Sequence, residues 1–120
     1  MAQYVKFNVP KEIAERQSTI IEKVKKTGKV RVGINEVTKA IERTTAKFVF
    51  IAGDVSPPEI VMHLPILCKE KKIPFSYVAT KKELGEKAGL EVGTSAIAVV
   101  DEGDAKSDLD SLAKQVAELK

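Results

Sequence analysis

Apolar positions along this chain follow helical and extended periods in turn. Ile13, Ile20, Ile21 and Val24 share one helical stripe, with Pro10 at a tolerated first-turn position and Gly28 as the stop. Lys29 to Val32 alternates in the manner of a short strand. A second helix is expected from Asn35 toward Arg43, with Val37, Ala40 and Ile41 as its apolar stripe. Lys47 to Ala52 is a continuous apolar run, the pattern of a strand covered on both faces. Gly53-Asp54-Val55-Ser56-Pro57-Pro58 reads as a turn into a third helix, Ile60 to Lys71, which Asp54 or Ser56 is expected to cap and Pro65 to kink. Pro74 to Val78 is the next strand, Lys81 to Lys87 a short helix ending near Gly89, and Ala96 to Val100 the last strand. Residues 101–107 look like a linker. Asp108 opens a final helix with Leu109, Leu112, Val116 and Leu119 on one side.

Helices interleaved with about four short strands predict a three-layer α/β/α sandwich around a largely parallel sheet. The 120 residues suffice for one domain with a real core, so residues 1–120 are taken as a single domain. A hydrophobic content of 43% argues against disorder, and no apolar run approaches the roughly 18 residues of a membrane span. The lone Cys68 allows no internal disulfide and no cysteine zinc site, which suits a reducing, cytoplasmic setting. No secretory signal is visible at the N-terminus. The expected state in isolation is a monomer.

Charge changes the picture. Residues 1–100 carry 17 Lys/Arg against 11 Asp/Glu, whereas residues 101–120 carry three Lys against six Asp/Glu. A basic body with an acidic end suits a polyanion held on one side.

Enzymatic chemistry finds little support. His63 and Cys68 are the chain's only His and Cys, and five positions apart they stand about 140° apart on a helix, too far round for a direct pair. Both read as structural, Cys68 in the core and His63 partly buried. No metal cluster and no cofactor loop is legible. Gly-x-x-x-x-Gly-Lys-Ser/Thr is missing, as is Gly-x-Gly-x-x-Gly after a strand.

Two segments stand out. Gly33-Ile34-Asn35-Glu36-Val37-Thr38-Lys39 places an amide, a carboxylate and an ammonium within about one helical turn, able to accept from and donate to a base edge. The same residues also suit plain helix capping, with Asn35 as cap, Glu36 on the helix dipole and Lys39 solvated. In Leu90-Glu91-Val92-Gly93, Leu90 and Val92 serve either as core residues or as an apolar platform for an extruded base.

With Phe48-Val49-Phe50-Ile51-Ala52-Gly53-Asp54-Val55-Ser56-Pro57-Pro58-Glu59-Ile60, His63-Leu64-Pro65-Ile66-Leu67-Cys68, Ile73-Pro74-Phe75 and Lys81-Lys82-Glu83-Leu84-Gly85, these segments resemble the kink-turn RNA-binding family of ribosomal proteins, in particular its archaeal large-subunit members. The resemblance spans about residues 5–119. It implies an α/β/α sandwich with a central mixed sheet and no catalytic activity. It implies a kink-turn ligand, an RNA bend built on tandem sheared G·A pairs beside an unpaired bulge. By this resemblance Asn35, Glu36 and Lys39 read the G·A pairs, and Gly33 lets RNA approach the backbone. Leu90, Glu91 and Val92 form the loop over the bulged nucleotide. Ile60 and Lys81 match RNA-facing positions, while Arg43 and Lys82 are added on charge alone. The implied partners are ribosomal RNA, box C/D and H/ACA guide RNAs with the proteins of the methylation and pseudouridylation machinery, and ribonuclease P RNA. A paralogue serving one RNA, a protein–protein adaptor and a small Rossmann-like enzyme are the rival readings.

Overall fold

The computed structural model describes residues 9–55 and 61–118. Its elements are α1 (Lys11–Thr27), β1 (Lys29–Val32), α2 (Ile34–Glu42), β2 (Phe48–Ala52), α3 (His63–Lys71), β3 (Phe75–Val78), α4 (Lys81–Lys87), β4 (Ala96–Asp101), a 3-10 turn (Gly103–Ala105) and α5 (Lys106–Ala117). The strands form one sheet in the order β1-β4-β2-β3.

Among these strands only β2 and β3 run parallel; β4 is antiparallel to both β1 and β2. The sheet is therefore mixed, as the resemblance implies, and the largely parallel sheet expected from periodicity is corrected. Helix–strand alternation alone carries no information about direction once a strand enters between two earlier ones.

Helix α2 packs with α3, and α1 packs with α4 and α5, so the sheet lies between two helical layers. All five residues of β2 are buried, which explains their unbroken apolar run. Phe48 and Phe50, two apart and hence on one face of β2, stack with ring centroids 4.7 Å apart. Gln17 is the buried polar residue of α1. Its amide nitrogen donates to the Tyr77 carbonyl at 2.9 Å, and its amide oxygen accepts from the Ser76 hydroxyl. Both ends of the amide are thus used, and α1 is keyed to β3 at one register.

Four further expectations are corrected. Pro65 is the third residue of α3, where its missing N–H has no helical partner to lose, so no kink follows. Residues 101–107 are not a linker: β4 runs through Asp101, and the 3-10 turn is tied to α1 by the Asp104 N–H donating to Thr27 Oγ1 at 3.0 Å. The last helix begins at Lys106 rather than Asp108. It buries Leu109, Leu112 and Val116, and is held to α1 by the Arg16–Gln115 hydrogen bond and the Lys23–Asp108 ion pair. Asp54 does not cap α3; its side chain serves α4, as described below. Ser56, Pro57, Pro58, Ile60 and Leu119 lie outside the described residues.

Candidate nucleic-acid interface

The site begins where β1 ends. Gly33 takes φ +92° and ψ 154°, a conformation open almost only to glycine, and turns the chain directly into α2. Its N–H donates to the Ala96 carbonyl at 3.1 Å, and its carbonyl accepts from the Val37 N–H at 3.0 Å. Among the described residues a Cβ here would meet nothing within 4 Å, so the glycine is required by its backbone angle rather than by crowding.

Gly33, not Asn35, is the N-cap, which corrects the capping role offered for Asn35. Asn35 and Glu36 are the second and third helical residues. Val37, Ala40 and Ile41 are buried, which turns Asn35, Glu36 and Lys39 outward, all three exposed. Their spacing confines them to an arc of about 100°. Neither Glu36 nor Lys39 forms an ion pair among the described residues.

Two surface hollows flank this row. One, of about 290 Å³, is lined by Arg31, Glu36, Lys39, Ala40, Arg43, Thr45 and Val100. The other, of about 500 Å³, is lined by Ile34, Asn35, Thr38, Lys39 and His63. Lys39 borders both and forms the ridge between them. Arg43, proposed on charge alone, joins Lys39 through four-residue helical spacing, and Arg31 adds a third exposed cation from β1.

The loop after α4 divides its apolar residues between the two roles considered for them. Leu90 packs partly buried against the core, whereas Val92 is 72% exposed. Glu91 is exposed as well. The loop is anchored by the Leu90 N–H donating to the Gly85 carbonyl at 2.8 Å and the Thr94 N–H to the Lys81 carbonyl at 3.1 Å. Gly85 makes this approach possible, because a Cβ there would overlap the Val92 carbonyl.

Lys81 and Lys82 are exposed at the start of α4. The Lys81 N–H donates to Asp54 Oδ1 at 2.8 Å, and Thr80 Oγ1 accepts from the Glu83 N–H at 3.1 Å, so two side chains satisfy the first turn. The Ala52 N–H donates to the Ser95 carbonyl at 2.9 Å. Hydrogen bonds thus run from Gly33 to Ala96, Ala52 to Ser95, Thr94 to Lys81 and Lys81 to Asp54. They bring the β1–α2 junction, the end of β2, the start of α4 and the Val92 loop onto one rim.

Of the predicted site residues, Gly33, Asn35, Glu36, Lys39, Lys81, Leu90, Glu91 and Val92 stand along this rim, with Leu90 turned inward. Ile60 lies outside the described residues. Sequence reasoning missed Arg31 and misplaced His63, which is exposed rather than partly buried and hydrogen-bonds to Thr38 Oγ1 at 2.9 Å. The apolar neighbours of His63 in the sequence hid its position at the open start of α3. Cys68 is fully buried, on a different side of α3 from His63.

Among known proteins, the model of the family described as Ribosomal protein L7Ae/L30e/S12e/Gadd45 matches residues 16–108. The chain is also similar in fold to the solved structure of the Giardia lamblia 15.5kD RNA binding protein, with a TM-score of 0.90, 24% sequence identity and coverage of 100% of each chain.

Proposed function

As the chain belongs to the Ribosomal protein L7Ae/L30e/S12e/Gadd45 family, we propose that it binds RNA and that its ligand is a kink-turn. The observation carrying this reading is Glu36, an exposed carboxylate between Asn35 and Lys39 on a surface otherwise supplied with Arg31, Arg43 and Lys81. A carboxylate weakens phosphate binding. It is an acceptor only, and the N1–H and the second N2–H of a sheared guanine are donors left unpaired. Lys39 donates to guanine O6, and Asn35 does both. Gly33 leaves room for the RNA to come close, and Val92 offers an apolar surface to the bulged nucleotide. The resemblance of the whole fold to a solved RNA-binding protein agrees with this assignment.

The mechanism is selection. A kink-turn exchanges between bent and extended forms, and a protein that contacts the bent form better draws the population to it. The settings that follow are the large ribosomal subunit, the box C/D and H/ACA guide particles and ribonuclease P, all in the cytoplasm. In the guide particles the chain presents a joint RNA–protein surface to the modifying enzymes.

The test is a gel-shift titration at fixed near-physiological salt. A kink-turn RNA is compared with the same RNA whose two G·A pairs are changed to G·C. Tight binding to the first and loss on the second is expected. Equal binding to both overturns the reading, leaving a basic face that holds RNA without discrimination.

A further inference from the structure

The hydrogen bond between α2 and α3 has a direction that the neighbouring atoms decide. Thr38 has one hydroxyl proton and donates it to the Ile34 carbonyl at 2.7 Å. At 2.9 Å from His63 Nε2 the same oxygen must therefore accept. The assignment that satisfies both contacts is the one with a proton on His63 Nε2, donated to Thr38.

The location of this bond gives it its importance. Thr38 lies three residues after Asn35 and one before Lys39, and all three line the same hollow with His63. The first turn of α2 has no side-chain cap, because its N-cap is Gly33. Among the described residues, its other anchors are the Gly33–Ala96 hydrogen bond at the end of the axis and the apolar packing of Ile34, Val37, Ala40 and Ile41 against the core. Apolar packing is non-directional, and it sets which face of α2 is buried more firmly than the last few degrees of roll about its axis. A hydrogen bond from the flank is directional and does resist it. Reading a base edge needs its donors and acceptors held to within about 0.5 Å, so a small roll of α2 matters at the tips of Asn35 and Lys39.

Resting on the assignment of α2 as the RNA-reading helix, we propose that His63 is a positioning residue for it. Its Nε2–H bond to Thr38 fixes the roll of the first turn of α2, and with it the places of Asn35 and Lys39. His63 acts through Thr38 and makes no contact with RNA in this role.

The experiment titrates the wild type, His63→Leu, Thr38→Val, the double variant and His63→Gln with the kink-turn RNA and its G·C control, beside thermal melts of each protein. Leucine removes the donor and keeps bulk; glutamine places an N–H donor where Nε2 stands. His63→Leu and Thr38→Val are each expected to reduce the preference for the kink-turn by roughly threefold to tenfold, the equivalent of one net hydrogen bond. Binding to the control stays unchanged. The double variant is no worse than Thr38→Val, since the bond that His63→Leu removes is already gone there. His63→Gln keeps the preference. A His63→Leu protein with full preference, an equal loss in His63→Gln, or additive losses in the double variant overturns the proposal. A wild type with no preference removes the kink-turn reading itself, and the proposal with it.

Discussion

Asp54 and Lys81, 27 residues apart, are joined by a 2.8 Å hydrogen bond from the Lys81 backbone N–H to the Asp54 carboxylate. The end of β2 thereby caps the start of α4, and the loop carrying Val92 is pinned to the same Lys81 through its carbonyl. Replacing Asp54 with Ala is expected to lower stability by about 1 kcal/mol, the usual worth of a cap. It also speeds amide exchange at Lys81. Asp54→Asn keeps an acceptor and retains most of the protection. Hydrogen exchange followed by NMR at the Lys81 amide decides this.

Glu36 is exposed and touches no cation among the described residues, so removing it leaves the fold intact. Glu36→Ala is expected to cost about 1–3 kcal/mol of kink-turn binding, with the loss concentrated in discrimination between G·A and G·C pairs. The melting temperature stays within about a degree or two of the wild type, as for most surface substitutions. Calorimetric titration with both RNAs measures the cost directly.

Arg31 and Arg43 are expected to behave differently from Glu36. They flank the hollow on the side of α2 away from His63, where their guanidinium groups are expected to pair with phosphate rather than with a base edge. Arg31→Gln and Arg43→Gln each weaken binding to kink-turn and control RNAs alike. Each lowers the slope of log affinity against log salt by about 0.7–0.9 for every phosphate left without its cation. Titrations at several salt concentrations give that slope, and an unchanged slope places these arginines away from the RNA backbone.

Gly33→Ala separates backbone strain from crowding. No non-neighbouring atom of the described residues lies within 4 Å of the added carbon, so the cost is assigned to the φ of +92°. A residue forced into that region costs about 1–3 kcal/mol. The urea midpoint is expected to fall accordingly with an unchanged m-value. RNA binding falls further than stability accounts for, because the methyl group projects into the space the RNA is to occupy.

Much of the architecture was legible from residue patterns, for reasons that can be named. The buried run Phe48–Ala52 and the stripe Val37–Ala40–Ile41 are written in hydrophobicity, and hydrophobicity is what orders them. The exposure of Asn35, Glu36 and Lys39 follows from that same stripe. What stayed hidden depends on partners distant in sequence. The direction of β4 depends on its entry between β1 and β2. The partner of Asp54 is Lys81 rather than the nearer helix, and His63 sits in an apolar stretch yet faces outward at the first position of α3. Leu90 and Val92 have similar chemistry, and only the packing of the loop on Gly85 decides which one is buried.

The strand order carries a consequence for how the molecule is made. Of the four strands, β4 is the last in the chain and the one that touches both β1 and β2. During synthesis β2 and β3 can pair while β1 and α2 have no sheet to join. The carbonyl of Ala96 that receives the Gly33 N–H belongs to this late strand. The rim is therefore completed only after Ala96 and the rest of β4 have emerged, and a nascent chain shorter than that lacks the Gly33–Ala96 anchor at the start of α2.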